Sequence, residues 1–574
     1  MKATPLLRHF CSVIKEFLFM TDKKQSFMKN VSVILIAQLL VKLFGLVYRM
    51  VITNIKGFGD AGNGFYTAGF QVYTLLLAIS SVGVPNAISK MVAERTAVKD
   101  YKGAFKIFKT AFALFAGIGF VCSLALFLGA DFIAYHVVNM AGVEYTMRAL
   151  APSIFFVCVS SVIRGYFVGL QNMAATSTSQ VLEQIFKCTL TILFVLLAVG
   201  QKPEFMAAWA NFATSLATVL SFGYLLIFYR KHKKSIDEKL AESDLTMFRK
   251  IPARDMIKNI LMISVPISLG SIISAINRVI DTATITRGIE IAFSSYIPAY
   301  GNSPAIMMPT LEQLNNEAVR LAGVLGKSDT LINLPLALNI AFATVLVPSI
   351  SGALAVGDKK EAAGKINYSF LISILLIMPC AIGYISLAQP IYKLIYPNAQ
   401  LGYDLLQISS VALVFTALNQ TISGSLQGMG KVYTPATGLV CGCIAKIILN
   451  IVLIRIPSVN IYGAAISSVA CQAISFCICF TVLARNISLR MNITKYVFKP
   501  LLAGVVMGVV AYGMYALLSM VIKANIIVLP LTIMVAAIVY FVLVFKLRIM
   551  SEEEIKMLPA GDRLYKVIKK LKLA

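Results

Sequence analysis

Apolar runs of about 20 residues recur almost from one end of this chain to the other, each long enough to cross a hydrocarbon core roughly 30 Å thick. Residues 30–53, 66–88, 104–129, 148–170, 178–199, 205–229, 258–284, 328–351, 366–389, 404–427, 435–455, 461–484, 497–521 and 525–546 give fourteen predicted spans. The expected fold class is therefore an all-α polytopic membrane protein. Composition agrees, since 58% of the residues are hydrophobic and 14% charged, against about half and a quarter in a soluble domain. No soluble domain of useful size is left over.

Lysine and arginine in the short loops set the orientation. They crowd the N-terminal segment (Lys2, Arg8, Lys15, Lys23, Lys24, Lys29), the second loop (Lys90, Arg95, Lys99, Lys102) and the sixth, with Arg230, Lys231, Lys233, Lys234, Lys239, Arg249, Lys250 and Arg254. The eighth and twelfth loops follow suit with Lys359, Lys360, Lys365, Arg485, Arg490 and Lys495, while odd-numbered loops are poor in such residues. Both termini are expected in the cytoplasm. This asymmetry accounts for most of the net charge of +26, so no nucleic-acid partner is needed to explain it.

Ten cysteines form no evident framework. Most lie in apolar helices as small hydrophobes, and Cys441-Gly-Cys443 is too tight for the usual zinc spacing. No metal or cofactor is expected. Leu6–Met20 reads as an interfacial basic helix or as sequence upstream of a later start at Met20 or Met28. Ser551 followed by Glu552–Glu554 signals a helix start. Beyond it, Arg563, Lys566, Lys569, Lys570 and Lys572 interleave with Leu564, Val567, Ile568 and Leu571 as a basic amphipathic tail or a solvated one.

The chain repeats itself. Ile163–Asn172 aligns with Ile422–Lys431 at an offset of 259, which matches Gly165 to Gly424, Gly169 to Gly428 and Lys187 to Lys446. Gly83–Ser89 resembles Leu346–Ser351, and Arg49 resembles Arg278 at the shorter offset of 229. The difference places an insertion at 289–322, and an even number of spans per copy makes the copies parallel. The expected division is a basic N-terminal segment 1–29, an N-lobe 30–229, a basic loop 230–257, a C-lobe 258–484 carrying the extracytoplasmic insertion 289–322, two extra helices within 497–546, and a tail 547–574. Deleting 289–322 is expected to leave membrane insertion intact and to change activity or substrate choice.

Several spans carry residues that are expensive in hydrocarbon. A lysine or arginine at mid-membrane costs about 2.5–3.5 kcal/mol. The first span places Gln38, Lys42, Gly45 and Arg49 on one helix face. The seventh does the same with Ser264, Ser268, Ser271, Ser274, Arg278 and Asp281, and the fifth carries Gln180, Glu183, Gln184 and Lys187. Arg164 lies in the fourth span, Lys446 in the eleventh, Asn333 and Asn339 in the eighth, and Thr416, Asn419, Gln420 and Ser423 in the tenth. Small polar residues of this kind also glue helices together. Glu183 and Lys187 could neutralise each other at i,i+4, and Arg278 and Asp281 at i,i+3. Lys42 and Arg49 have no acid in their own helix. Cations with few internal partners suit an anion, so Lys42, Arg49, Arg278, Arg164 and Lys187 point to a phosphorylated or pyrophosphorylated substrate. Pro85, Pro152, Pro266, Pro335, Pro348 and Pro379 mark static kinks or bends that move.

Gly64-Phe-Tyr66, Tyr73-Thr-Leu-Leu-Leu77, Gly83-Val-Pro-Asn-Ala-Ile-Ser-Lys90 with Ala93-Glu94, Ile332-Asn-Leu-Pro335, Val347-Pro348 and Gly165-x-x-x-Gly169-Leu-Gln171 resemble the multidrug/oligosaccharidyl-lipid/polysaccharide (MOP) exporter superfamily. Within it they resemble the bacterial branch of lipid II flippases and stage V sporulation protein B, over about residues 30–547. The resemblance implies two six-helix lobes in a V around a cationic central cavity, plus two helices associated with the lipid tail. It implies export of an undecaprenyl-pyrophosphate-linked saccharide, lipid II first and a sporulation or capsule-type lipid second, across the bacterial plasma membrane by alternating access. Arg49 after Gly45, Lys42 and Arg278 match that branch's basic residues in kind, while the insertion 289–322 departs from its pattern. The expected protein is a monomer among membrane lipids, in contact with cell-wall synthesis proteins and not an enzyme.

Two other readings stand beside it. An ion-coupled multidrug exporter would want acids in its cavity, and Asp281 and Glu183 are the candidates. An intramembrane transferase would want chemistry that is not evident: His9, His136 and His232 all fall outside mid-membrane, and no Asp-x-Asp motif is present. The lack of a Walker motif argues against direct ATP use and leaves membrane potential, a monovalent-ion gradient or substrate supply as the driving force.

Overall fold

The structure is a computed structural model that describes residues 27–241, 252–299, 305–355, 358–487 and 492–556, together with Tyr565, Lys569 and Lys570. Helix follows helix: α1 (Phe27–Thr53), α2 (Gly59–Ser80), α3 (Val84–Ala97), α4 (Tyr101–Phe132), α5 (Val143–Gly169), α6 (Ala174–Leu197), α7 (Pro203–Ala241) and α8 (Ala253–Ala292). A two-stranded antiparallel hairpin, β1 (Tyr296–Ile297) and β2 (Ile306–Met307), separates α8 from α9 (Leu311–Ala355). Then come α10 (Lys359–Ile395), α11 (Tyr403–Gly428), α12 (Thr434–Leu453), α13 (Tyr462–Asn486), α14 (Lys499–Val521), α15 (Asn525–Lys546) and the short α16 (Glu552–Lys556). Among the described residues, twelve stretches are helical, long and apolar enough to cross a membrane, with α2 and α3 together forming one of them. The first and eighth expected spans fall in α1 and α9, which stand outside that count because part of each has side chains that are not described.

Local chemistry sets the helix boundaries. Pro85 opens α3 rather than bending a longer helix, because the first turn needs no N–H from it. Asp100 caps α4 by accepting from the Gly103 amide, and Asp358 caps α10 by accepting from the Glu361 amide. Gly142 before α5 and Gly402 before α11 both take left-handed backbone angles, with φ of 97° and 94°. Each of these pairs sits 258–260 residues apart, so the sequence repeat returns as repeated caps. Pro152 and Pro266 lie inside continuous helices. Within α10, Leu387 leaves helical geometry three residues before Pro390, whose ring crowds the preceding turn. At the C-terminal end Ser551 and Glu554 exchange hydrogen bonds as a capping box, which starts α16 where the sequence predicts a helix. The expected basic amphipathic tail beyond it, like the N-terminal interfacial helix, lies largely or wholly outside the described residues.

The helices sort into two compact units. One comprises Met1–Tyr48, Gly69–His136 and Gly142–Ala275, and the other Arg49–Ala68, Val137–Ala141 and Ile276–Ala574. The first unit has a core of α3, α4, α5 and α7 side chains, including Ile88, Phe108, Phe115, Val162 and Tyr166. In the second, Ile285, Ile289, Phe293, Ile297, Leu314, Ala318 and Leu321 pack with Leu405, Ile454, Ile461 and Ala464. Much of 289–322 is thus core of the second unit, in the extended ends of α8 and α9. Removing 289–322 would therefore take buried side chains out of that core.

Within the second unit α2 and α9 meet backbone to backbone. A Cβ on Gly64 would lie 2.1 Å from the Val319 carbonyl oxygen, and one on Gly323 would lie 1.8 Å from that of Asp60. Gly323→Ala is therefore expected to destabilise the protein by about 1–3 kcal/mol, the usual range for forced overpacking. Gly223→Ala, where a Cβ meets nothing within 4 Å, should be neutral. Thermal unfolding of the detergent-solubilised variants checks this, and equal midpoints would contradict the close approach.

Candidate functional site

The cations singled out in the sequence fall into two clusters, one in each unit. In the second unit Arg49 sits one turn from the end of α1. Its Nη1 donates to Asn63 Oδ1 at 2.6 Å and to Thr67 Oγ1 at 3.0 Å. Its guanidinium carbon lies 4.3 Å from the centroid of the Tyr66 ring. Asn63, Tyr66 and Thr67 share one face of α2 by helical spacing. Asn63 is fixed in turn, donating through Nδ2 to the Gly323 carbonyl at 2.7 Å. The partners of Arg49 are thus an amide, a hydroxyl and an aromatic face, which orient the fork without cancelling its charge. Among the described residues no carboxylate forms an ion pair with it.

Arg278 and Asp281, on α8, are not each other's partners. Asp281 Oδ2 takes Lys446 Nζ of α12 at 2.6 Å, and the same ammonium donates to the Asn277 carbonyl at 3.3 Å. Asn450 Nδ2 reaches Asp281 Oδ1 at 3.2 Å and Thr284 Oγ1 at 2.8 Å, and the Ser467 hydroxyl donates to Asn450. The Lys446 side chain is almost wholly buried, and a buried ammonium needs an acid more than an exposed guanidinium does. Arg278 is exposed and makes no ion pair among the described residues. Asp329 of α9 is the acid that acts on it. Asp329 also feels Asp281, Lys446 and Arg49, so this cluster holds three cations against two acids.

In the first unit Arg164 of α5 is fully engaged. Its Nη2 donates to Glu183 Oε2 at 2.7 Å and to Ser221 Oγ at 3.2 Å, and its Nε donates to Ser179 Oγ at 2.9 Å. Glu183 is thereby drawn to Arg164 instead of to Lys187. Lys187 is buried, with its ammonium 4.4 Å from the Phe70 ring centroid and 5.6 Å from that of Tyr48. Aromatic faces stabilise that charge without neutralising it. Lys42 is exposed on α1.

The sequence reading missed one set of charges. Lys327 of α9 has a fully buried side chain, pairs with Asp60 Oδ1 at 2.6 Å and donates to the Ala399 carbonyl at 2.6 Å. Tyr392 and Tyr396 flank it at 5.5 Å. Asp60, Lys327 and Asp329 lie outside or at the very edge of the apolar runs that define the spans, so hydropathy did not mark them as costly. Spacing could have found Asp329, which lies four residues before Asn333 and so on the same helix face.

Removing one partner of a buried ion pair costs about 3–5 kcal/mol, because the other charge is left uncompensated. Lys446→Met and Asp281→Asn should each lower the unfolding midpoint of the purified protein, and the double variant should recover most of the loss. Additive losses would show that the two groups are not coupled.

Comparisons with known proteins fit this arrangement. The polysaccharide biosynthesis protein family profile matches residues 27–354, and that of the lipid II flippase MurJ matches residues 322–548. The lipid II flippase MurJ of Bacillus subtilis (strain 168) is 25% identical over 82% of this chain and 84% of its own. Stage V sporulation protein B of the same organism is 21% identical over 94% and 99%. Among solved structures, the lipid II flippase MurJ in an inward closed conformation matches with a TM-score of 0.63 at 15% identity, covering 88% of this chain and 97% of that one. An inward-facing multidrug resistance MATE family transporter of the MOP superfamily matches at 0.61 and 14%, covering 79% and 98%. These two likenesses establish the all-α transporter fold. With a family profile spanning more than half of its length, the chain belongs to the polysaccharide biosynthesis protein family, in the flippase branch of the MOP superfamily.

Proposed function

We propose that this protein carries an undecaprenyl-pyrophosphate-linked saccharide from the inner to the outer leaflet of the bacterial plasma membrane by alternating access, with lipid II as its leading cargo. The observation that carries the reading is the state of Arg49. It is held in place by Asn63, Thr67 and Tyr66, and its charge is left available for an anion. Lys187 on its aromatic faces and Arg278 at an exposed position add cations of the same kind. A planar fork and point charges together suit a pyrophosphate. Family membership supports the lipid-linked class of cargo, and the curated relatives named for lipid II and for sporulation support the finer choice.

The multidrug reading depends on acids that could bind a cationic drug or a coupling ion. Asp281 is occupied by Lys446 and Glu183 by Arg164, so both candidates already hold a resident cation. That favours an anionic cargo. The proposed cycle needs no cofactor and draws on the membrane potential or a monovalent-ion gradient. In this reading both termini lie in the cytoplasm, which the lysines and arginines of the even-numbered loops support.

Arg49→Ala is expected to abolish transport while leaving the protein folded, since its partners keep one another through Asn63 and Gly323. The measurement is leaflet-to-leaflet movement of a fluorescent undecaprenyl-pyrophosphate saccharide in proteoliposomes, with a voltage and a sodium gradient supplied. Movement at the wild-type rate in Arg49→Ala would refute the cationic site. No movement with the wild-type protein would refute this cargo.

A further inference from the structure

A cavity of about 410 Å³ opens in the second unit, at the end where α9, α11 and α13 begin and α10 ends. Its size lies within the roughly 300–1,000 Å³ range of small-molecule sites. None of the cations discussed above lines it. Arg320 and Leu321 contribute one wall from within the 289–322 segment, and the end of α10, the loops after α10 and α12 and the first residues of α11 and α13 contribute most of the rest.

The two charged side chains of this cavity already have partners: an acid for Arg320, and for Asp404 a hydroxyl that leaves its charge in place. Arg320 donates through Nε and Nη2 to the two oxygens of Glu317, at 2.8 and 2.6 Å. Asp404 accepts from the Tyr462 hydroxyl. Neutral groups remain: Gln389 is exposed and has no hydrogen-bond partner among the described residues, and Gln400 is exposed and uses its amide nitrogen on the Pro397 carbonyl at 3.0 Å. Each carboxamide offers both donors and acceptors. Beside them Tyr403 and Leu401 present exposed apolar surface.

The floor is rigid. Gly402 takes φ of 94°, and a Cβ there would sit 2.2 Å from Val324 Cγ1. Asn460 is locked in a left-handed turn, donating to the Pro457 carbonyl and accepting from the Ile461 amide. A preformed wall with neutral donor–acceptor groups, next to aromatic and aliphatic surface, matches a sugar ring, which has hydroxyls around its edge and C–H groups on its faces.

We infer that this cavity is a saccharide subsite that receives the sugar of the cargo on the extracytoplasmic side. The inference rests on the flippase reading. The ninth and eleventh loops, which line the cavity, lie outside the cell in the orientation that the lysines and arginines give. It assigns a role to 289–322, one wall of a sugar-binding pocket built on the end of a helix bundle.

The test is saturation-transfer NMR on the purified full-length protein with two soluble disaccharides, N,N′-diacetylchitobiose and cellobiose. At least one should receive saturation. Gln389→Leu/Gln400→Leu, at two exposed positions, should bind it about tenfold more weakly through loss of neutral hydrogen bonds. Tyr403→Ala serves as a second, independent variant, and Gly223→Ala, where an added Cβ meets nothing within 4 Å, should bind as the wild type does. Undecaprenyl-pyrophosphate saccharide should compete with the soluble sugar. No transfer from either disaccharide, full transfer in both pocket variants, or failure of the lipid-linked sugar to compete would each overturn the assignment. The proteoliposome assay separates the two claims. Sugar binding without leaflet movement defeats the flippase reading, while leaflet movement without sugar binding defeats only the pocket.

Discussion

Holding an ammonium or a guanidinium among membrane-spanning helices is costly, and the structure meets that cost in two ways. Lys446, Lys327 and Arg164 are closed off by Asp281, Asp60 and Glu183, at 2.6, 2.6 and 2.7 Å. Such pairs join one helix to another and leave little charge for a ligand. Arg49 and Lys187 are held instead by neutral or aromatic groups, which fix position without cancelling charge. This division separates the basic residues paired with an acid from those held by neutral groups, which are the ones proposed to hold a substrate. The first group takes Asp281, Asp60 and Glu183; of the charges discussed, Asp329 is then left against Arg49 and Arg278 in the second unit and Lys187 stands in the first, so what remains is net positive in both.

The repeat displays the division at a single pair of positions. Lys187 and Lys446 occupy matching positions 259 residues apart, and both are buried. One copy meets Phe70 and Tyr48, and the other meets Asp281. The same position thus serves as a bare cation in one half and as a structural bolt in the other. The 289–322 segment breaks the symmetry further. It lengthens α8 and α9, adds buried apolar side chains to the second unit, and brings Arg320 to the rim of a cavity with no counterpart among the charged clusters.

Much of this was legible in the sequence, because hydropathy and helical spacing act within one helix at a time. The all-α membrane fold, the cations of α1 and α5 and the start of α16 all follow from local rules. Pairing across helices was not legible. Glu183 has Lys187 one turn away and takes Arg164 from another helix. Asp281 has Arg278 three residues away and takes Lys446. In each case spacing identified the charged groups but not which one would win the acid, a choice made by burial and by the packing of a third helix. Asp60 and Lys327 went unweighed for a related reason. They sit where hydropathy falls, yet close packing through Gly64 and Gly323 removes them from water all the same.

The central claim is that charge left uncancelled at Arg49 binds a pyrophosphate. Native mass spectrometry of the purified protein with undecaprenyl pyrophosphate and undecaprenyl monophosphate tests it most directly. The account predicts that the pyrophosphate lipid binds more tightly than the monophosphate, and that Arg49→Ala removes the difference. Equal binding of both lipids to the wild type, or a preference that survives in Arg49→Ala, would contradict it.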